Sequence, residues 1–63
     1  MKLVEFECRH RGESRVYDYK TWVNPLHVVR VADVDDLTEV ILITNERLSV
    51  KLPVEKVLLR LTA

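Results

Sequence analysis

Cys8 and His10 stand two residues apart, so on a continuing strand their side chains share a face, and His27 could join them if its own strand pairs nearby. Thiolate and imidazole are ligands for soft and borderline metals. A zinc site is built from paired ligand spacings, however, and one Cys-x-His with a distant His lacks them. The expectation is a small, buried Cys8 and no metal or other cofactor. Asp33, Asp35 and Asp36 raise calcium, but the spacing of a calcium loop, with its Gly and distal Glu, is missing, which leaves a solvated acidic turn. Ser14, Ser49, Cys8 and the two His form no nucleophile and base pattern, and so short a chain rarely encloses a pocket. No catalytic residue is expected, and the chain reads as non-enzymatic.

A second constellation is basic and aromatic. Arg9, His10, Arg11, Arg15 and Lys20, with Tyr17, Tyr19 and Trp22 nearby, supply cations for phosphate and flat faces for stacked bases. This is the raw material of a single-strand nucleic-acid surface, with Arg9, Arg11, Arg15 and Trp22 as its contacts. Glu5, Glu7, Glu13 and Asp18 dilute it. Charges at a hairpin tip usually serve solvation, and aromatics in a small protein usually serve the core.

These residues must be placed by strands. Lys2 to Cys8 alternates, with Val4, Phe6 and Cys8 on one face and Leu3, Glu5 and Glu7 on the other, which predicts a first strand. Arg9 to Ser14 is polar and holds the only Gly, so it reads as a hairpin loop leading into a second strand, Arg15 to Tyr19. Lys20 to Leu26 breaks the pattern at the turn signal Asn24-Pro25, and Trp22 is expected to pack over an open end of the sheet. His27 to Asp33 predicts the third strand, with Val29 and Val31 alternating against Val28, Arg30 and Ala32.

The most strongly patterned stretch is Thr38 to Leu61. Thr38 to Thr44 and Arg47 to Leu52 read as a hairpin turning at Asn45-Glu46. A two-residue loop sets Ile43 opposite Leu48, Ile41 opposite Val50 and Glu39 opposite Leu52, which makes Ile41, Ile43, Leu48, Val50 and Leu52 the core face. Val40 and Leu42 then lie on the second face, beside Ser49 and Lys51. Glu46 stands where such a turn prefers Gly, so a longer loop is the alternative, and it would swap the buried face. Pro53 suits a helix start, and Val54, Val57, Leu58 and Leu61 follow at helical spacing, predicting a helix over about 54–61 with Leu59 outside the stripe. It is too short to persist alone and must dock on the sheet, with Val40 and Leu42 as its landing site.

Composition narrows the class further. Sixty-three residues make one small domain, 1–63, and 48% hydrophobic content with one Gly and two Pro is too apolar for disorder. The single Cys allows no intrachain disulfide. Ten basic residues balance ten acidic ones, so no global charge draws the chain to nucleic acid or to an anionic membrane. Glu5 and Glu7 interrupt any leader-like apolar run, and no segment approaches a membrane span, which predicts a soluble cytoplasmic protein.

The order of a short N-terminal hairpin, then Val23-Asn24-Pro25-Leu26-His27-Val28-Val29-Arg30-Val31, Thr38-Glu39-Val40-Ile41-Leu42-Ile43-Thr44-Asn45, Leu48-Ser49-Val50-Lys51 and Val54-Glu55-Lys56-Val57-Leu58 resembles the small FlbD-like proteins. The resemblance runs from about Val23 to Leu61 and implies a small β-rich fold of bacterial or phage origin. It carries no catalytic residue across. Glu46 departs from the Gly usual in that family, and the N-terminal part is longer and more aromatic.

The expected architecture is mainly β: about five short antiparallel strands in a bent sheet or small open barrel with one C-terminal helix. The expected function is a protein interaction or adaptor module, homo-oligomeric, whose interface draws on Trp22, Val40, Leu42 and Leu59. A small nucleic-acid-binding regulator using the basic hairpin is the alternative.

Overall fold

The computed structural model describes residues 2–63. Within them the chain runs β1 (Val4–Arg11), β2 (Val16–Val23), β3 (Val28–Val34), β4 (Leu37–Leu42), β5 (Arg47–Val50) and α1 (Val54–Thr62), with a 3-10 turn at Pro25–His27 between β2 and β3. The five strands form one open antiparallel sheet in the order β2-β1-β5-β4-β3, and α1 covers one face of it. The mainly β fold with a C-terminal helix is therefore the one its alternation predicts.

The first hairpin is longer than the sequence suggests. Val4, Phe6 and Cys8 do share the core face, but β1 continues through Arg11, and β2 runs past Tyr19 to Val23. The ladder pairs every residue from Val4 with Val23 to Arg11 with Val16, so the polar loop shrinks to a tip closed by the Gly12 N–H donating to the Arg15 carbonyl at 2.9 Å. Trp22 is consequently a strand residue opposite Glu5 and not a cap on the sheet end, and it stays 57% exposed. The turn signal acts two residues later: the Asn24 side chain accepts a hydrogen bond from the Leu26 N–H at 3.0 Å and starts the 3-10 turn.

Beyond that turn, β3 spans Val28–Val34, one residue later than predicted, and its register against β4 slips between Val28 and Arg30. The slip is a β-bulge at Val29. It breaks simple alternation, so that Val28 and Val31 both pack on the core while Val29 is exposed.

The β4–β5 turn decides which face of β4 is buried. Leu42 N–H donates to the Glu46 carbonyl at 2.9 Å and Asn45 N–H donates to the Leu42 carbonyl at 2.8 Å. With Asn45 at φ 71°, this is a three-residue loop, a tight turn followed by one left-handed residue. Asn tolerates that conformation better than most residues, and Glu46 no longer needs to adopt it. The extra residue moves the register by one: Val40 faces Leu48, Thr38 faces Val50 and Ile41 faces Arg47. The two-residue loop and the Ile41 and Ile43 core are thus corrected to the longer-loop alternative. Val40 is 0% exposed and Leu42 packs on the core, while Ile43 is 63% exposed. Asn45→Ala is expected to lower stability by about 1 kcal/mol through the left-handed strain, while Glu46→Ala changes it little. A denaturation series in which Glu46 proves the sensitive position would restore the two-residue turn.

The core is Phe6, Cys8, Val23, Val40, Leu48, Val50 and Val57, a single layer between the sheet and α1. The helix does land beside Val40 and Leu42 as predicted, but Leu48 and Val50 share that face. In α1, Val57 is buried with Val54 and Leu61 at its margins, whereas Leu58 leaves the predicted stripe and is exposed. Pro53 precedes the first turn, Glu55 lies in it and Arg60 in the last, so both charges oppose the helix dipole favourably. Strand β5 pairs in the ladder with β1 only at Cys8 with Val50, and the Lys51 N–H then donates to the Glu7 carbonyl at 3.0 Å. Past that point the helix replaces the missing strand: an Arg60 guanidinium N–H donates to the Glu5 carbonyl at 2.9 Å, with the cation 6.0 Å from the centre of the Phe6 ring.

Candidate interaction surfaces

Strand alternation gives the sheet an outer face away from α1, and on β1 and β2, with Lys51 just past β5, that face is a lattice of opposite charges. Arg9 Nε donates to Asp18 Oδ1 at 3.0 Å, and Lys51 Nζ donates to Asp18 Oδ2 at 2.7 Å. Lys51 also lies 3.6 Å from Glu7, Lys20 lies 3.6 Å from Glu5, and Arg11 lies 3.9 Å from Asp36. Hydrogen bonds from Lys51 and then Arg9 hold the Asp18 carboxyl below its ordinary value. The bond to Asp18 raises both Arg9 and Lys51 above theirs.

The sign of the resulting pH effect follows. A carboxylate whose folded value is depressed stabilises the fold above its unfolded value and loses that stabilisation as pH falls through the folded one. The melting temperature of wild type is expected to exceed that of Asp18→Asn near neutral pH, and the gap to close on acidification below about pH 4. A gap that persists at about pH 2 would show that Asp18 acts through something other than its charge.

This lattice bears on the nucleic-acid contacts. Arg9 and Arg11 are on the outer face, each facing a carboxylate. Arg15 lies at the hairpin tip with its guanidinium 4.7 Å from the centre of the Tyr17 ring, which His10 flanks at 4.9 Å on the opposite, inner side. Trp22 is at the other end of the ladder, opposite Glu5, about 13 Å along the strand from the Arg9 and Asp18 pair. The four residues are not brought together into one basic, aromatic patch.

Cys8 is 0% exposed in the core, and burial pushes its thiol upward, which suppresses the thiolate that a nucleophile or metal ligand requires. His10 stacks on Tyr17, and His27 closes the 3-10 turn. Among the described residues, no group of three or more His, Cys, Asp or Glu is placed to hold a metal ion. Asp35 and Asp36 are exposed in the β3–β4 turn, where Asp35 takes a positive φ of 54°, and Asp33 is exposed on β3 opposite Thr38.

Of the predicted interface residues, Trp22 and Leu59 are on the surface, and Val40 and Leu42 are not free to act there, because the β4–β5 turn rotates them inward. Further exposed apolar residues form two groups. Val16 and Tyr17 join Trp22 along β2. Leu26, Val29 and Ile43 surround the 3-10 turn, where the Ile43 N–H donates to the His27 carbonyl at 2.7 Å. In the first group, Val16 and Trp22 were readable in the sequence as one face, since Val16, Asp18, Lys20 and Trp22 alternate with the inward residues once β2 is extended, whereas Tyr17 lies on the other face opposite His10. The second depends on the bulge and on the turn. A hollow of about 400 Å³ beside it is lined by Lys2, Asn24, Pro25, Leu26, Leu61 and Ala63.

No described helix is long and apolar enough to cross a membrane. Comparison with known proteins leaves the surfaces to speak for themselves: no family model, no curated protein and no solved structure matches the chain.

Proposed function

We propose that this chain is a non-enzymatic interaction module that self-associates and acts by contact with another protein. The observation that carries the reading is the open edge of β2, an eight-residue strand at the margin of the sheet with Val16, Tyr17 and Trp22 exposed along it. A sheet edge presents backbone N–H and C=O groups that a further strand can satisfy, and apolar side chains flanking it add burial on contact. Leu59, exposed on α1, offers a second apolar contact. The nucleic-acid alternative draws no support from the geometry, because Arg9 and Arg11 already face carboxylates and Arg15 faces the Tyr17 ring.

Solution mass by light scattering, with and without a mixed oligonucleotide pool, tests the proposal. The expected result is an assembly heavier than the 7.4 kDa protomer that the oligonucleotide leaves unchanged. A 7.4 kDa species that gains mass only with oligonucleotide would reject it in favour of the nucleic-acid reading.

A further inference from the structure

The same edge carries an inference about its occupant, which rests on the interaction-module reading. The β1–β2 ladder runs without a bulge, and the bond from the Gly12 N–H to the Arg15 carbonyl sets its phase. In an antiparallel ladder, hydrogen-bonded pairs recur at every second residue. Tyr17, Tyr19, Thr21 and Val23 therefore bond to β1, and the backbone groups of Val16, Asp18, Lys20 and Trp22 point away from it. The alternate phase of β1 agrees, because the carbonyls of Glu5 and Glu7 face Arg60 and Lys51. The opposite edge is built differently: β3 carries the bulge at Val29, a device that turns an edge away from a further strand.

We propose that β2 pairs antiparallel with β2 of a second copy, about a two-fold axis through Tyr19. With Tyr19 opposite its own copy, Val16 meets Trp22 and Asp18 meets Lys20, and symmetry repeats both pairs. All four are residues whose N–H and C=O point outward, so the pairing makes about eight backbone hydrogen bonds. Their side chains lie on the same outer face, where an apolar pair suits a directly opposed site and Lys20 of one copy extends the charge lattice of Asp18, Arg9 and Lys51 of the other. Neighbouring registers fail on charge. Sliding by two residues in one direction sets Asp18 against Asp18, and in the other Lys20 against Lys20. Tyr17 meets Thr21 on the inner face. The product is a continuous ten-stranded sheet, twice the five strands of the protomer, with both helices on one side.

Sedimentation equilibrium of the full chain over a concentration series provides the first test, and site-directed cross-linking the second. Wild type is expected at twice the 7.4 kDa protomer mass. Lys20→Glu, which sets a carboxylate opposite each Asp18, is expected to weaken the dimer about tenfold or more. Lys20→Pro removes an outward N–H and is expected to leave a folded monomer. In a Cys8→Ala background, which removes the thiol that faces Tyr19 within the protomer, Tyr19→Cys is expected to oxidise to a covalent dimer. Opposed Cα atoms at such a site are about 4.5 Å apart, within disulfide reach. Thr21→Cys in the same background is the control, because its two copies would lie about 13 Å apart along the strands.

A wild-type dimer that Lys20→Pro leaves intact, or cross-linking as fast at Thr21 as at Tyr19, overturns the β2 pairing while the interaction-module reading stands. A wild-type monomer at every concentration overturns the pairing and, with it, the self-association of the interaction module. Mass gained only with oligonucleotide overturns the module itself. Should Lys20→Pro fail to fold, the ratio of cross-linking at Tyr19 to that at Thr21 decides.

Discussion

Phe6→Ala is expected to leave the domain largely unfolded at 37 °C. Phe6 is 0% exposed, at the seam where β1 has lost its β5 neighbour and α1 takes over. Its ring is among the largest side chains in a core of seven buried apolar residues, and the Arg60 guanidinium sits 6.0 Å from its centre. Truncating a buried Phe to Ala costs about 3–5 kcal/mol, because the lost apolar contact is joined by a cavity that surroundings fill only in part. A domain of 63 residues has a total stability of about 3–9 kcal/mol. The loss is thus comparable with the whole. Phe6→Leu, which keeps most of the volume, is expected to be much milder. Chemical denaturation read by circular dichroism measures both, and a Phe6→Ala loss under about 1 kcal/mol would mean the sheet and helix are not held together there.

Thr38→Val is expected to cost about 1–3 kcal/mol although it preserves shape almost completely. Thr38 is 0% exposed, and its hydroxyl donates to the Leu52 carbonyl at 2.7 Å. That carbonyl lies in the short passage from β5 to α1, between Val50 and Val54. Valine fills the same space and offers no donor, so the carbonyl loses its partner. Thr38→Ser keeps the donor and loses only a methyl. The discriminating measurement is amide hydrogen exchange in the first turn of α1, where Lys56 and Val57 N–H both donate to the Pro53 carbonyl. Faster exchange there in Thr38→Val than in Thr38→Ser is the expected outcome. Equal exchange in the two variants would show that the hydroxyl does not anchor the helix.

The sheet edge and the core draw on different residues of the same strands, so substitutions at Lys20 separate from those in the core, whereas Cys8→Ala and Tyr19→Cys touch both. On β2, Val23 is buried and Tyr19 packs on the core, whereas Val16, Asp18, Lys20 and Trp22 face outward. Substitutions at Lys20 therefore test association without touching Phe6 or Val57. Asp18 is less separable, because Arg9 and Lys51 both converge on it within one protomer.

Alternation and turn chemistry determined much of this molecule by themselves. Val4, Phe6 and Cys8 face the core because side chains alternate along a strand, and two carboxylates between them can only face water. Val57 and Leu61 of α1 meet the sheet at helical spacing, and Pro53 marks where β5 gives way to α1. Asn24 and Asn45 both serve as turn formers, one as a cap and one in the left-handed region. The candidate contacts Trp22 and Leu59 were readable as surplus apolar residues, and both are on the surface.

Tertiary structure alone decided the rest. In Thr38 to Ile43 both faces are apolar enough to be buried, so the pattern could not choose between Val40 and Ile41. One extra residue in the β4–β5 loop made the choice, because strand periodicity of two converts any one-residue slip into an exchange of faces. The bulge at Val29 had the same standing, since no local residue type requires it. The position of Arg60 against the Glu5 carbonyl, 55 residues away in sequence, depends on where β5 stops pairing with β1. The outward phase of Val16, Asp18, Lys20 and Trp22, on which the proposed pairing rests, is likewise set by hydrogen bonds between strands. Sequence periodicity specifies which residues share a face, and only the register between strands specifies which face is buried and which edge is open.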